Sequence, residues 1–277
     1  MRHDLKGSFN DESGNIDPTS AIIPSVVRDN AKGGRVVQDV YSSLLDENVI
    51  FIRGVVESNM ADTIIASMFH LYYDKMKSTL EAAKSAGTPI EDIPASQRTI
   101  KFLINSPGGV IDDGLQIYDM MQLLKSEGVI IETHVTGKAM SMGSILLVAG
   151  SDGYRHAWPS ANIMLHDASG GSQGKRADMG IRQEEIDYIS ERMKDIYRTH
   201  TDMTEEDLET IFTKGDYFMR AEEAKELGII DKALYPVNDP VVAEMLKRQN
   251  DRHQDGEVEP TKPKRIRVRR DDGPSPE

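Results

Sequence analysis

V-I-I-E-T-H-V-T-G-K-A-M-S-M-G-S-I-L-L-V-A-G, residues 129–150, decides how this chain folds. Its first seven residues read as a β-strand. Thr136-Gly137-Lys138 then leads into a stretch that reads as a helix starting at Ser141. The same alternation extends in both directions. Upstream, V-I-F-I-R-G-V-V (49–56) reads as a buried strand, followed by an amphipathic segment from Met60 to about Lys84. T-I-K-F-L-I-N (99–105) is a further strand, and a helix follows over about 112–126. Downstream come the short strand A-N-I-M-L-H (161–166) and a long helix from about Arg176 to Thr199. Strands alternating with helices predict an α/β fold with a mostly parallel sheet and helices packed on its faces.

Ser141 carries the functional question. A helix N-terminus offers unpaired backbone N–H groups and a partial positive charge, which stabilise an alkoxide or a neighbouring oxyanion. The N–H of Met142 is well placed for this, and Gly143 lets a substrate backbone approach. The conservative reading is a cap, because serine is among the preferred N-cap residues. Ser144 is a weaker candidate, inside the helix. His166 closes a strand just before Asp167 and an Ala168-Ser169-Gly170-Gly171 loop, where an imidazole can lean over a cleft as a base. Asp216, in T-K-G-D-Y-F-M, either orients such an imidazole or is a turn residue. Ser106-Pro107-Gly108-Gly109 reads as a turn after a strand, able to aim a backbone N–H at a developing oxyanion. Phosphate binding there lacks the Lys-Ser/Thr pair of a P-loop.

Bulk properties bound the rest. Net charge is −13, which argues against non-specific attraction to nucleic acid. There is no cysteine, so disulfides, thiolate zinc sites and cysteine nucleophiles are excluded. The seven histidines are scattered without an H-E-x-x-H pattern, so no metal is expected. No run approaches the ~18 apolar residues of a membrane helix, and the N-terminus has no signal-peptide core, which predicts a cytoplasmic protein without a membrane partner. Residues 1–35 read as an extended arm, 36–240 as the main domain, and 241–277 as a charged, disordered tail containing the basic run K-P-K-R-I-R-V-R-R (262–270). In the long helix, Ile186, Ile189, Met193 and Ile196 form one stripe. Such a helix either covers the sheet or projects to meet another subunit.

Taken in order, I-N-S-P-G-G, G-x-A-x-S-M-G, M-L-H and G-D-Y-F-M-R-A-E-E-A-K-E-L-G-I-I-D resemble the proteolytic subunits of the Clp protease, the ClpP serine peptidases. A-I-I-P-S-V-V and D-V-Y-S-S-L-L-D-E-N-V-I-F-I-R-G-V-V extend the resemblance to about Ala21–Leu234. It implies a ClpP/crotonase-like fold of repeated β-β-α units with a protruding handle helix. It also implies Ser141 as nucleophile, His166 as general base and Asp216 as its orienting group, with Gly109 and Met142 N–H groups as the oxyanion hole. No cofactor is implied. The partners implied are further copies of the chain in stacked heptameric rings joined through the long helix, a separate AAA+ unfoldase, and unfolded protein substrates.

The chain departs from the family pattern in four places. The loop after His166 reads D-A-S-G-G, without the usual proline two residues beyond the histidine. Lys214-Gly215 replaces the Asp-Arg pair that many members carry before the aspartate and use between rings. Residues 77–97 are an insertion read as a longer helix and a surface loop, and the basic tail is additional. Two rival readings keep the fold and change the function: a non-catalytic ring subunit that acts by binding, and a crotonase-like acyl-CoA enzyme that needs an oxyanion hole but no serine. The filled serine, histidine and aspartate positions favour the peptidase.

Overall fold

A computed structural model describes residues 23–29, 34–168 and 176–234. Most of the N-terminal arm, the Ser169-Gly170-Gly171 loop and the tail with its basic run lie outside the described residues. The chain divides into two units, Met1–Ile50 and Phe51–Glu277. In the first, β1 (Ser25–Asp29) and β2 (Arg35–Asp39) form an antiparallel pair. The short helix α1 (Val40–Leu45) follows, and its start is fixed by Asp39, whose Oδ1 accepts the Tyr41 and Ser42 N–H groups at 2.9 and 3.0 Å.

The second unit is built on a seven-stranded sheet. Strand β3 (Val49–Val56) leads into α2 (Ser58–Leu71), which continues through a π-helical turn at Tyr72–Met76 into α3 (Lys77–Ala86). Then come β4 (Thr99–Gly109), α4 (Ile111–Ser126), β5 (Ile130–Met140), α5 (Met142–Val148), β6 (Arg155–Ala157) and β7 (Asn162–Leu165). The long α6 (Arg176–His200), α7 (Glu205–Lys214), β8 (Tyr217–Met219), α8 (Ala221–Glu226) and β9 (Lys232–Ala233) complete it. The strand order is β3-β4-β5-β6-β9, with β7 beside β5 and β8 beside β7. Pairings β4–β5, β5–β6, β5–β7 and β6–β9 are parallel, and β7–β8 is antiparallel. This is the mixed α/β architecture, with a mostly parallel sheet, expected of the ClpP fold.

Three differences from the sequence reading have physical causes. First, β4 and β5 run past their apolar stretches. Ser106-Pro107-Gly108-Gly109 belongs to β4 rather than to a turn, because β4 re-engages β5 at Ser106, opposite Ala139, after an irregularity following Ile104. Second, β6, β8 and β9 are two or three residues long, too short for a period-2 pattern to show. Third, the strands are not uniformly apolar. Ile100, Phe102 and Ile104 on β4, with Ile131, Thr133 and Val135 on β5, are fully buried, whereas Lys101, Glu132 and His134 on the opposite face are only partly so.

Packing follows from this alternation. Helix α5 reads M-G-S-I-L-L-V, without a polar face, and every one of its residues is buried against β4 and β5. In the 77–97 insertion, Leu80 and Ile93 are buried, and Gly87 ends α3 in the left-handed region at φ 67°. No helix among the described residues is long and apolar enough to cross a membrane.

Arg155 ties three elements together. Its Nη2 donates to Asp231 Oδ1 at 2.6 Å and its Nε to Asp231 Oδ2 at 3.0 Å, while Nη1 donates to the carbonyl of His200 at the end of α6. The Arg155 side chain is 7% exposed. Burial pushes the Asp231 carboxyl up, but the bonds from the Arg155 side chain and backbone outweigh it and hold the group below the usual carboxylate range. A depressed folded pKa contributes stability above the unfolded value, and that stability is lost as pH falls through the folded value. Asp231→Asn should therefore cost about 3 kcal/mol near neutral pH, because it leaves a buried guanidinium without its counter-charge. Chemical denaturation across acid and neutral pH checks this: the variant should lie well below wild type at pH 7, and the gap should narrow as pH falls below the usual carboxylate range.

Candidate active site

Three residues that are far apart in sequence meet because of strand register. Met140, the last residue of β5, lies opposite Met164 on β7, and Leu165 lies opposite Tyr217 on β8. Ser141, His166 and Asp216 are the residues immediately beyond these paired positions, so all three leave the sheet at one end. His166 Nε2 is 2.8 Å from Ser141 Oγ, and His166 Nδ1 is 3.0 Å from Asp216 Oδ1. Of the five residues singled out from the sequence, Ser141, His166 and Asp216 thus form one hydrogen-bonded chain, Met142 directly follows Ser141, and Gly109 ends β4.

Ser141 occupies the N-cap position of α5, yet its side chain makes no capping hydrogen bond. Its Oγ is directed to His166 instead. Its backbone sits at φ 53°, ψ −124°, one of two non-glycine residues with positive φ among those described. A serine held in this glycine-like region carries about 1–3 kcal/mol of strain, and such strain persists only where surrounding contacts impose it. Here Ser141 N–H donates to Met164 O at 2.9 Å, and Ser141 O accepts the Ser144 N–H at 2.9 Å. The result is a sharp strand-to-helix corner with the hydroxyl at its tip.

Gly108 stands against this corner, and Gly109 against the end of β3. A Cβ on Gly108 would lie 2.8 Å from Ser141 Cβ and 3.0 Å from Met142 N, and Gly108 itself has φ +92°. A Cβ on Gly109 would lie 2.1 Å from Val56 O, so the end of β4 is pressed onto the end of β3. Ser106, fully buried, anchors the segment: its Oγ donates to Gly54 O at 2.6 Å and accepts the Gly108 N–H at 3.1 Å. Met142 N–H is the first amide of α5, a position without an intrahelical acceptor. The Met142 side chain is buried against α4, where Gly114 makes room for it.

The supporting role of Asp167 went unread in the sequence, and Ser144, the weaker nucleophile candidate there, is bonded into the core instead. Asp167 Oδ1 accepts the Ala168 N–H at 2.7 Å and the hydroxyl of Ser190, tethering the chain after His166 to α6. Ser144 is a structural residue: its hydroxyl, fully buried, bonds Ser141 O, Met164 O and the Tyr197 hydroxyl at 2.6, 3.1 and 2.8 Å. Burial pushes the Tyr197 phenol up, so it stays neutral. No spacing rule signals the Asp167–Ser190 or Ser144–Tyr197 pairing, because each joins distant elements.

The sheet order, the α5 corner and the strand-end cluster define an α/β protein of the ClpP fold. The family model of the Clp protease matches residues 90–236, more than half of the chain and inclusive of all five site residues. This protein belongs to the Clp protease family and is a peptidase of that type.

The strain at Ser141 yields a prediction. Ser141→Gly should be more stable than Ser141→Ala by about 1 kcal/mol, since glycine alone adopts φ 53°, ψ −124° without penalty. Thermal melts of the two variants read the difference.

Proposed function

We propose that this chain is a serine endopeptidase acting by acyl transfer. Ser141 Oγ attacks a peptide carbonyl while His166 Nε2 takes its proton. Asp216 holds the imidazole through Nδ1 and stabilises the imidazolium that forms. The backbone N–H groups of Met142 and Gly109 receive the oxyanion of the tetrahedral intermediate. His166 then protonates the leaving amine, and water, deprotonated by His166, hydrolyses the acyl-enzyme and frees Ser141. The observation that carries this reading is the Ser141 hydroxyl, which sits at a cap position, declines the cap and bonds His166 instead. The other contact of the chain, His166 Nδ1 to Asp216 Oδ1 at 3.0 Å, agrees with it.

The glycines after Pro107 leave one side of the corner free of side chains. An extended substrate can lie there and bond through its main chain, which suits many sequences. We further propose that the chain works inside stacked heptameric rings and receives unfolded polypeptide from a separate AAA+ ATPase. Helix α6 supports the assembly. Its C-terminal Met193, Ile196 and Tyr197 are buried, whereas Ile186 and Ile189 are partly exposed and Tyr188 is 64% exposed. The apolar stripe thus continues past the part of the helix that this chain covers.

Hydrolysis of a fluorogenic peptide tests the chemistry, with a sizing column run on the same samples. Wild type should cleave as a species many times the 30.9 kDa chain. Ser141→Ala should lose about 10⁴-fold or more in kcat with unchanged elution. Rings without hydrolysis would favour a binding subunit, and turnover of an acyl-CoA unaffected by Ser141→Ala would favour the crotonase-like chemistry.

A further inference from the structure

Among the described residues, one group of histidine, cysteine and carboxylate side chains brings its ligand atoms within 4.8 Å of one another: Glu132, His134 and His156. Register makes it. Glu132 and His134 are two apart on β5 and share a face, and His156 on β6 lies directly opposite His134. Glu132 Oε1 is 2.7 Å from His134 Nε2 and 3.6 Å from His156 Nε2. The two rings are 4.8 Å apart, centroid to centroid. Lys101, opposite Glu132 on β4, approaches the other carboxylate oxygen, Oε2, at 3.6 Å. Oε1 is thereby left to the imidazoles.

The cluster is ill-suited to being only a hydrogen-bonded group. The His134 and His156 side chains are each 12% exposed and Glu132 18%, and His156 Nδ1 is buried without a hydrogen-bond partner. One carboxylate oxygen cannot satisfy two imidazoles at these separations, since only the contact to His134 is of hydrogen-bond length. Burial pushes both imidazoles below their ordinary range, and for His156 the neighbouring His134 adds to it. Glu132 opposes the shift at both, Lys101 reinforces it at His134, and at His156 Asp231 opposes it while Lys232 reinforces it. Neutral imidazole is the form that ligates metals.

We propose that Glu132 Oε1, one ring nitrogen of His134 and one of His156 bind a single divalent transition-metal ion of the zinc class, cross-bracing β5 and β6. Two imidazoles and one carboxylate match zinc, whereas calcium and magnesium take all-oxygen sets. The separations of 2.7 and 3.6 Å bracket the roughly 3.3 Å edge of a tetrahedron built on 2.0–2.1 Å bonds. Water or an exogenous donor completes the coordination. The ion sits on β5, the strand that leads into Ser141, on the sheet face opposite buried Thr133 and Val135, and is distinct from the Ser141–His166–Asp216 cluster.

The site can be tested independently of peptidase activity. The full chain carrying His166→Ala, so that the other cluster cannot compete, is stripped with chelator. It is then titrated at pH 7.5 with Co(II), followed by its visible d–d bands, and with Zn(II) against a chromophoric chelator. One equivalent should bind per chain, with the bands of a four- or five-coordinate cobalt site and a raised melting temperature. Adding His134→Gln with His156→Gln should abolish the bands. Adding the near-isosteric Glu132→Gln, with native circular dichroism, should weaken zinc by about tenfold or more and remove most of the thermal shift. Absence of stoichiometric binding in the parent, or undiminished binding in a natively folded Glu132→Gln, would overturn the proposal. Should the double histidine variant fail to fold, Glu132→Gln decides alone.

Discussion

Pairing of β5 with β7 and of β7 with β8 is the constraint on which the rest depends. Met140 opposite Met164 and Leu165 opposite Tyr217 fix where three chain segments leave the sheet. A slip of one residue in either pairing would turn the strand faces over and carry Ser141 or Asp216 away from His166. The burial of Ile163, Leu165 and Met219 holds the register, since each is at most 2% exposed and would move to the wrong face. Core packing and the site chemistry therefore rest on the same contacts.

Strand β5 serves two roles along its length. Its first half pairs β6 at 133–135, and its second half pairs β7 at 138–140, both on the edge away from β4. The buried node of Arg155 and Asp231 stabilises the first of these junctions, and Glu132, His134 and His156 lie across the same junction on the other face. The second junction ends in the strained corner at Ser141. Strain there is tolerable because α5 is buried on every side, so the corner cannot relax without disturbing apolar packing.

Much of this was legible in the sequence. Apolar β-rich runs marked β3, β4 and β5, the 3.6-residue stripe marked α6, and the ordered motifs around Gly109, Ser141, His166 and Asp216 pointed to the family. What could not be read has physical reasons. Strands of two or three residues such as β8 and β9 have no period, and the pairing that sets Asp216 beside His166 is a three-dimensional fact. The choice between cap and nucleophile at Ser141 turns on a side-chain direction that composition does not encode. The Glu132, His134 and His156 grouping escaped because its ligands are split between two strands and match no metal-binding spacing.

The most direct measurement is mass-spectrometric mapping of the serine modified by a fluorophosphonate. Ser141 and Ser144 fall in one tryptic peptide, 139–155, so fragmentation separates the strained, His166-bonded hydroxyl from the buried structural one. A single adduct on Ser141, absent when His166 is replaced by alanine, is the predicted result. An adduct on Ser144, or none in a well-folded protein, would contradict the assignment of Ser141 as the nucleophile.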